Sequence, residues 1–237
     1  MPTDNFDKLI SRIEIEGLLK NTTQLHIGTA STGAFGEAET VDSPLIRIKI
    51  EDDNIPYIPG SSLKGVFRSF IERIASSSGQ SVCDPFNHRS ACQNNKENQC
   101  IACKIFGSQQ IASHVYISDA IPVLDFSTHI KPGIGINRVT GSTQRGAFFT
   151  VETITPGTEF KFKMIIENLD LFKSNSEEAK LLKLLLKELQ SGSIRIGGKT
   201  SSGLGLVELK IDKINYLSED NIKNLSFEYV QKSVSDL

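Results

Sequence analysis

The apolar and polar positions of this chain change period several times, and each change marks an element. Residues 12–19 alternate, with Ile13, Ile15 and Leu19 on one side and Arg12, Glu14 and Glu16 on the other, which predicts a half-buried strand. A second alternation over residues 45–50 predicts another. From Leu63 the period becomes helical: Leu63, Val66, Phe67, Phe70, Ile71 and Ile74 form one apolar stripe over residues 62–75, closed by Ser76-Ser77-Ser78-Gly79. Lys64, Arg68 and Glu72 stack on the opposite side, where a solvated ion-pair face is the plain reading. The polar stretch 84–99 has no core pattern and predicts an irregular insertion. Strand signals return at residues 114–118, 148–152 and 159–167, the last alternating Phe160, Phe162, Met164 and Ile166 against Lys161 and Lys163. Between them, residues 127–147 are rich in Gly, Thr, Arg and Gln and predict a projecting hairpin or a mobile loop. A second helix opens at Ser174-Asn175-Ser176-Glu177, runs leucine-rich through Leu189 and stops at Gly192. Residues 194–196 and 204–211 complete the strand material, and the tail 216–237 reads as peripheral.

Stripped of insertions, the order is strand, helix, strand, strand, helix, strand. This predicts an α+β fold on the ferredoxin-like (RRM-like) βαββαβ plan, an antiparallel sheet with its helices on one face. That plan serves many functions, so the chemistry has to come from particular residues.

Composition narrows the class. A chain of 237 residues fits one large domain or one domain with sizeable insertions. The net charge of −2 gives the whole molecule no pull toward nucleic acid, so any polyanion site must be a local patch. No window reaches the roughly 18 apolar residues of a membrane span. The start Met1-Pro2-Thr3-Asp4-Asn5 lacks the charged-then-apolar order of a signal peptide. The expectation is a cytoplasmic protein without a membrane partner.

Three segments carry candidate chemistry. Cys83, Cys92, Cys100 and Cys103 follow the spacing Cys-x8-Cys-x7-Cys-x2-Cys. Four thiolates close a tetrahedral zinc site, and the Cys-x-x-Cys pair supplies two ligands from one turn. Such a site would organise residues 83–103, which have too few apolar side chains for a core of their own. His88 is an alternative ligand in place of Cys83 or Cys92; disulfides and free or redox-active thiols are the competing readings. In Ile58-Pro59-Gly60-Ser61-Ser62-Leu63-Lys64-Gly65-Val66-Phe67-Arg68, a Pro-Gly turn delivers two serines, either able to cap a helix, and a lysine on the first turn. Backbone N–H groups, hydroxyls and a cation at one helix end suit a phosphate. The loop Gly197-Gly198-Lys199-Thr200-Ser201-Ser202-Gly203-Leu204-Gly205 is not a Walker A loop, because its lysine precedes the hydroxyl run and no helix follows directly. Its glycines permit close backbone approach and Lys199 suits a phosphate, whereas a tight turn between strands is the bland alternative.

Taken together, these segments resemble the RAMP superfamily, and within it the repeating backbone subunit of type III (Csm/Cmr-type) CRISPR–Cas effector complexes. The likeness covers roughly residues 12–211. It rests on Leu25-His26-Ile27-Gly28, Val41-Asp42-Ser43-Pro44, Tyr57-Ile58-Pro59-Gly60-Ser61-Ser62-Leu63-Lys64-Gly65, the Cys-x-x-Cys before Phe106-Gly107, Ser118-Asp119-Ala120, Ile136-Asn137-Arg138-Val139-Thr140 and the glycine loop. Each is weak alone; their order and spacing make the set specific. The resemblance implies a single RAMP domain over residues 1–237, with a modified ferredoxin-like palm, a zinc-held insertion over residues 76–113 and a β-hairpin thumb over residues 121–150. It implies copies of the chain stacked in a filament along a CRISPR RNA, alongside other effector subunits. It also implies contacts to RNA from His26, Ser61, Ser62, Lys64, Arg68, Arg138, Arg145, Gly198, Lys199 and Gly203.

Asp42 would cut the guide-paired target RNA with a divalent metal, Mg²⁺ or Mn²⁺, at each kink made by the thumb. RNA brings its own nucleophile, the 2′-hydroxyl, so alignment of that oxygen with the scissile phosphorus supplies much of the acceleration. One carboxylate then takes a proton or holds a metal against the phosphate. Without the resemblance, Asp42 is a turn residue before Ser-Pro. The competing functions are a catalytically silent RNA-binding scaffold and a CRISPR RNA processing ribonuclease built on a histidine base, for which His26 is the candidate.

Overall fold

The computed structural model describes residues 8–29, 41–85, 87, 91–92 and 99–237. Much of the polar stretch 84–99, His88 included, lies outside the described residues. The chain opens on β1 (Arg12–Asn21), whose alternation buries Ile13, Ile15 and Leu19 completely. A small hairpin follows, β2 (Arg47–Ile50) against β3 (Asp53–Pro56).

Helix α1 (Gly60–Ser77) buries Leu63, Phe67, Ile71 and Ala75, the stripe its spacing predicts. Its start differs from the expectation. Pro59 is the N-cap and no side chain caps it, so Ser61 and Ser62 sit exposed on the first turn instead of capping it. The missing acceptor comes from elsewhere: Asp119 Oδ1 accepts the Gly60 N–H at 2.7 Å. Gly60 is also the residue that fits there, since a Cβ would collide with the Ile117 carbonyl oxygen.

A short helix that the sequence pattern does not announce, α2 (Ile101–Phe106), begins at Cys100 and sends Ile105 and Phe106 into the main core. Next come β4 (Val115–Ile117) and a long hairpin of β5 (Thr128–Ile136) and β6 (Thr143–Ile154). Most of the hairpin stands in solvent, and only the last turns of β6, from Val151 to Ile154, are buried in the body. Strand β7 (Glu159–Glu167) leads to α3 (Glu177–Gln190), where Ser176 Oγ accepts the Ala179 N–H as a side-chain cap. Two-residue β8 (Ile194–Arg195), β9 (Leu206–Leu217), α4 (Glu219–Lys223) and β10 (Val230–Lys232) complete the chain.

The main sheet runs β10-β9-β1-β7-β4 with β8 paired to β9, and every pairing is antiparallel. Helices α1 and α3 pack against each other and on this sheet, α1 touching β4 and α3 touching β9. Phe67 of α1 meets Phe162 of β7 at 6.5 Å between ring centres. The fold is therefore mixed, with an antiparallel sheet and helices laid on it. The tail is less peripheral than its polarity predicts: β9 runs on through buried Tyr216 and Leu217, and β10 extends the sheet edge. A polar outer face on an edge strand hides such pairing from a hydrophobicity pattern.

Candidate functional site

Two constellations come out of this fold. The first lies where β6 enters the body. Segment 25–28 pairs with the end of β6 through Leu25 and Ile154, exchanging bonds of 3.0 and 2.7 Å. The segment around Asp42 lies along the same strand: Ser43 N–H donates to the Thr150 carbonyl (3.1 Å), and Glu152 N–H donates to the Ser43 carbonyl (3.0 Å). Asp42 is thereby held beside Thr150, exposed to solvent. Its Oδ2 accepts the Thr150 N–H at 2.7 Å and the Thr150 hydroxyl at 2.8 Å. These two bonds hold the Asp42 carboxyl below its ordinary range.

Glu152, two residues on and 9 % exposed, clamps the other end of the segment. It takes the Leu45 N–H at 3.1 Å and both guanidinium branches of Arg47. Burial opposes its ionisation, but the bonds from Arg47 and Leu45 outweigh that and its pKa falls below the usual carboxylate value. Such a bidentate pair is geometrically demanding, and it ties residues 41–47 to one register on β6.

His26 lies beneath this segment, 5 % exposed, with Nδ1 2.6 Å from the Glu152 carbonyl and Nε2 3.5 Å from Ser43 Oγ. The glycine loop closes over it, Gly198 N–H donating to the His26 carbonyl at 2.8 Å. Gly197 has a φ of +81°, and a Cβ there would strike the His26 carbonyl oxygen, so two independent reasons call for glycine. Lys199 projects from the loop with its Nζ 4.4 Å from the centre of the Phe149 ring on β6. Asp42, His26, Gly198 and Lys199 therefore share one neighbourhood at the base of the hairpin. Gly203 is at the far end of the loop, at a φ of +91°. Arg138 and Arg145 are exposed near the hairpin tip.

The second constellation is the cysteine quartet. The ligand atoms of Cys83, Cys92, Cys100 and Cys103 all lie within 4.8 Å of one another, and none is in a disulfide. Cys83 Sγ is 3.5 Å from Cys103 Sγ and 3.7 Å from Cys100 Sγ. A tetrahedral four-thiolate site with metal–sulfur bonds of about 2.3 Å has edges of about 3.8 Å, so these sulfurs are placed to hold a metal ion. Hydrogen bonding with Cys103 pulls the Cys100 thiol down to about 4 and pushes Cys103 upward; a metal would replace such shared protons.

The cations on α1 belong to this second neighbourhood. Lys64 Nζ donates to Ser113 Oγ at 3.0 Å, and burial together with the charge of Arg68 pushes its pKa down. Arg68 donates to Glu72 (2.7 Å), the Gly107 carbonyl (3.0 Å) and Cys103 Sγ (3.2 Å). The plain sequence reading of an Arg68–Glu72 pair is thus part of a larger contact. Thr150 and Glu152 with Arg47 carry no sequence signal. Asp119 lies in the Ser118-Asp119-Ala120 segment of the resemblance, but its bond to the Gly60 N–H at the start of α1 does not show in the sequence.

A mixed fold with an antiparallel sheet, a long projecting hairpin and a cluster of four cysteines defines a class, and comparison with known families names it. The chain belongs to the RAMP superfamily, whose family model matches residues 18–208. Particular relatives carry the name "CRISPR system Cms endoribonuclease Csm3". The one from Methanocaldococcus jannaschii is 27 % identical over 219 residues, covering 87 % of this chain and 82 % of the relative. Those from Streptococcus thermophilus and Enterococcus italicus are 26 % and 28 % identical, covering 91 % and 92 % of this chain and 96 % and 99 % of the relatives. No helix among the described residues is long and apolar enough to cross a membrane.

Proposed function

We propose that this chain is an RNA-binding backbone subunit of a type III CRISPR effector complex, and that it cuts guide-paired target RNA through Asp42. The observation that carries the reading is the exposed, ionised Asp42 carboxylate, fixed by Thr150 at the foot of the long hairpin in a chain whose relatives are named endoribonucleases. We read the βαββαβ order of β1, α1, β4, β7, α3 and β9 as a modified ferredoxin-like palm in one domain. On this reading the β5–β6 hairpin is the thumb, and residues 76–113 are an insertion held by structural zinc on Cys83, Cys92, Cys100 and Cys103.

Ser61, Ser62, Arg138, Arg145 and Lys199 are exposed and serve as phosphate contacts on this reading, with Gly198 and Gly203 admitting the backbone. Lys64 has one neutral partner and a cation beside it, which favours an added anion. Phosphate contacts fix register and read no sequence; pairing between guide and target supplies that. Among the described residues, the cysteine quartet is the group of three or more metal-ligating side chains. Mg²⁺ or Mn²⁺ at Asp42 would thus share its coordination with RNA phosphate oxygens and water, as Mg²⁺ commonly does. His26 is buried with Nδ1 on a carbonyl, which disfavours the processing ribonuclease built on a histidine base. Its service to RNA would run through the glycine loop it supports.

The test is to offer the assembled complex a labelled, guide-complementary RNA with Mg²⁺ or Mn²⁺ at several salt concentrations. Regularly spaced cuts are expected, with affinity falling by roughly 0.7 in log–log slope for each single-strand phosphate neutralised. Salt-insensitive binding of an uncut RNA would overturn the proposal.

A further inference from the structure

The geometry points to Arg68 as the charged outer donor of the cysteine metal centre, a positioning residue that couples the centre to α1 instead of a contact to guide phosphates. This rests on the reading of the quartet as a metal site. A divalent ion on four thiolates leaves the centre with two net negative charges, and such a centre needs hydrogen-bond donors around its sulfurs. The Cys100 N–H supplies one, to Cys92 Sγ at 3.2 Å. Arg68 supplies a cationic one, Nη2 to Cys103 Sγ at 3.2 Å.

The rest of the guanidinium is oriented for that task. Nη1 donates to the Gly107 carbonyl at 3.0 Å, at the end of the helix that carries Cys103, and Nε donates to Glu72 at 2.7 Å, one turn along α1. Three donors pointing to three fixed acceptors use the planar fork in a way that a lysine cannot reproduce. A guanidinium free to meet phosphate would be expected outward; this one is turned toward the insertion. Burial opposes its charge, but Glu72 and Cys103 more than restore it. Arg68 thus links the cysteine quartet directly to a core helix.

The experiment is zinc competition against a chromogenic chelator with the full chain, comparing wild type, Arg68→Met, Arg68→Lys and Lys64→Met, with folding followed by circular dichroism. Loss of an outer donor of this kind lowers metal affinity by about 10–100-fold, which is the expectation for Arg68→Met. Arg68→Lys should recover part of the loss, and Lys64→Met should bind zinc as wild type does. Co²⁺-loaded protein should show shifted thiolate-to-metal absorption in Arg68→Met, which a loss of packing alone would not produce. If Arg68→Met proves too unstable, Glu72→Gln, which loosens the Nε anchor, should weaken zinc binding in the same direction by several-fold. Wild-type zinc affinity in both Arg68→Met and Glu72→Gln would overturn the inference. So would an Arg68→Met variant with unchanged zinc affinity whose RNA-binding salt slope drops by about 0.7, the mark of one lost phosphate contact. A wild-type chain that binds no zinc would instead remove the metal reading beneath it.

Discussion

Replacing Asp42 by alanine is expected to lower target cutting by roughly 10²–10⁴-fold, the range over which a positioned acid–base or charge-holding group acts. Complex assembly and guide binding should remain. The side chain is exposed, and its loss frees Thr150 groups that water can reach, so the fold has little reason to respond. The surrounding segment stays anchored by the Ser43–Thr150 and Glu152–Ser43 backbone bonds and by Arg47 on Glu152.

The depressed pKa of Asp42 refines what the residue does. A carboxylate held below its ordinary value stays charged through neutral and mildly acidic solution, and any stability it contributes is fully present above the unfolded value of about 4. That contribution is lost only as pH falls through the still lower folded value. Any fall in cutting between pH 8 and 5 must therefore come from another group, and Asp42 is a feeble proton acceptor there. The arrangement favours charge-holding, at a metal or at the phosphate, over general base catalysis. Single-turnover rates of wild type, Asp42→Ala and Asp42→Asn over that range check this: both variants should be slow at every pH. Wild-type rates in Asp42→Ala would leave an RNA-binding scaffold.

Removing the metal should have the second large effect. A strong chelator applied to the full chain is expected to release about one zinc ion per chain and lower the melting temperature, with proteolysis opening first between residues 83 and 108. Structural zinc contributes roughly 10–16 kcal/mol in free zinc-finger peptides. Here the effect should be smaller, because Ile101, Ile105 and Phe106 anchor α2 in the main core whether or not the sulfurs are bridged. Cys100→Ser should mimic the chelator, and protons should compete with the metal as pH falls. A melting temperature untouched by both, with four titratable thiols in the native protein, would mean the cysteines hold nothing.

The parts of this fold that showed in the sequence are those whose energetics are periodic and local. Leu63, Phe67 and Ile71 mark α1 because a helix buries every third or fourth residue, and Ile13, Ile15 and Leu19 mark β1 because a strand buries every second. Helix α2 is six residues long, too short to display a period, and it is held by Ile101, Ile105 and Phe106 packing into a core built from distant elements. The start of α1 was misplaced because its first N–H is satisfied by Asp119, 59 residues away, and not by the nearby serines. The same holds at the candidate site. The resemblance points to Asp42, which its Asp-Ser-Pro setting alone reads as a turn residue, and its partner Thr150 is 108 positions distant, a pairing no local pattern contains. Arg68 reads in sequence as the partner of Glu72 alone, because its further acceptors Cys103 and Gly107 lie 35 and 39 residues downstream, in a segment whose placement only the fold determines.

The most direct measurement uses the assembled complex and a guide-complementary RNA in which one cut position carries a 2′-deoxy nucleotide, with the ends of all products identified. If Asp42 assists attack by the neighbouring 2′-hydroxyl, the cut at that position should vanish. The remaining cuts should persist and end in 2′,3′-cyclic phosphates. A cut retained at the deoxy position would contradict the proposed chemistry of this chain.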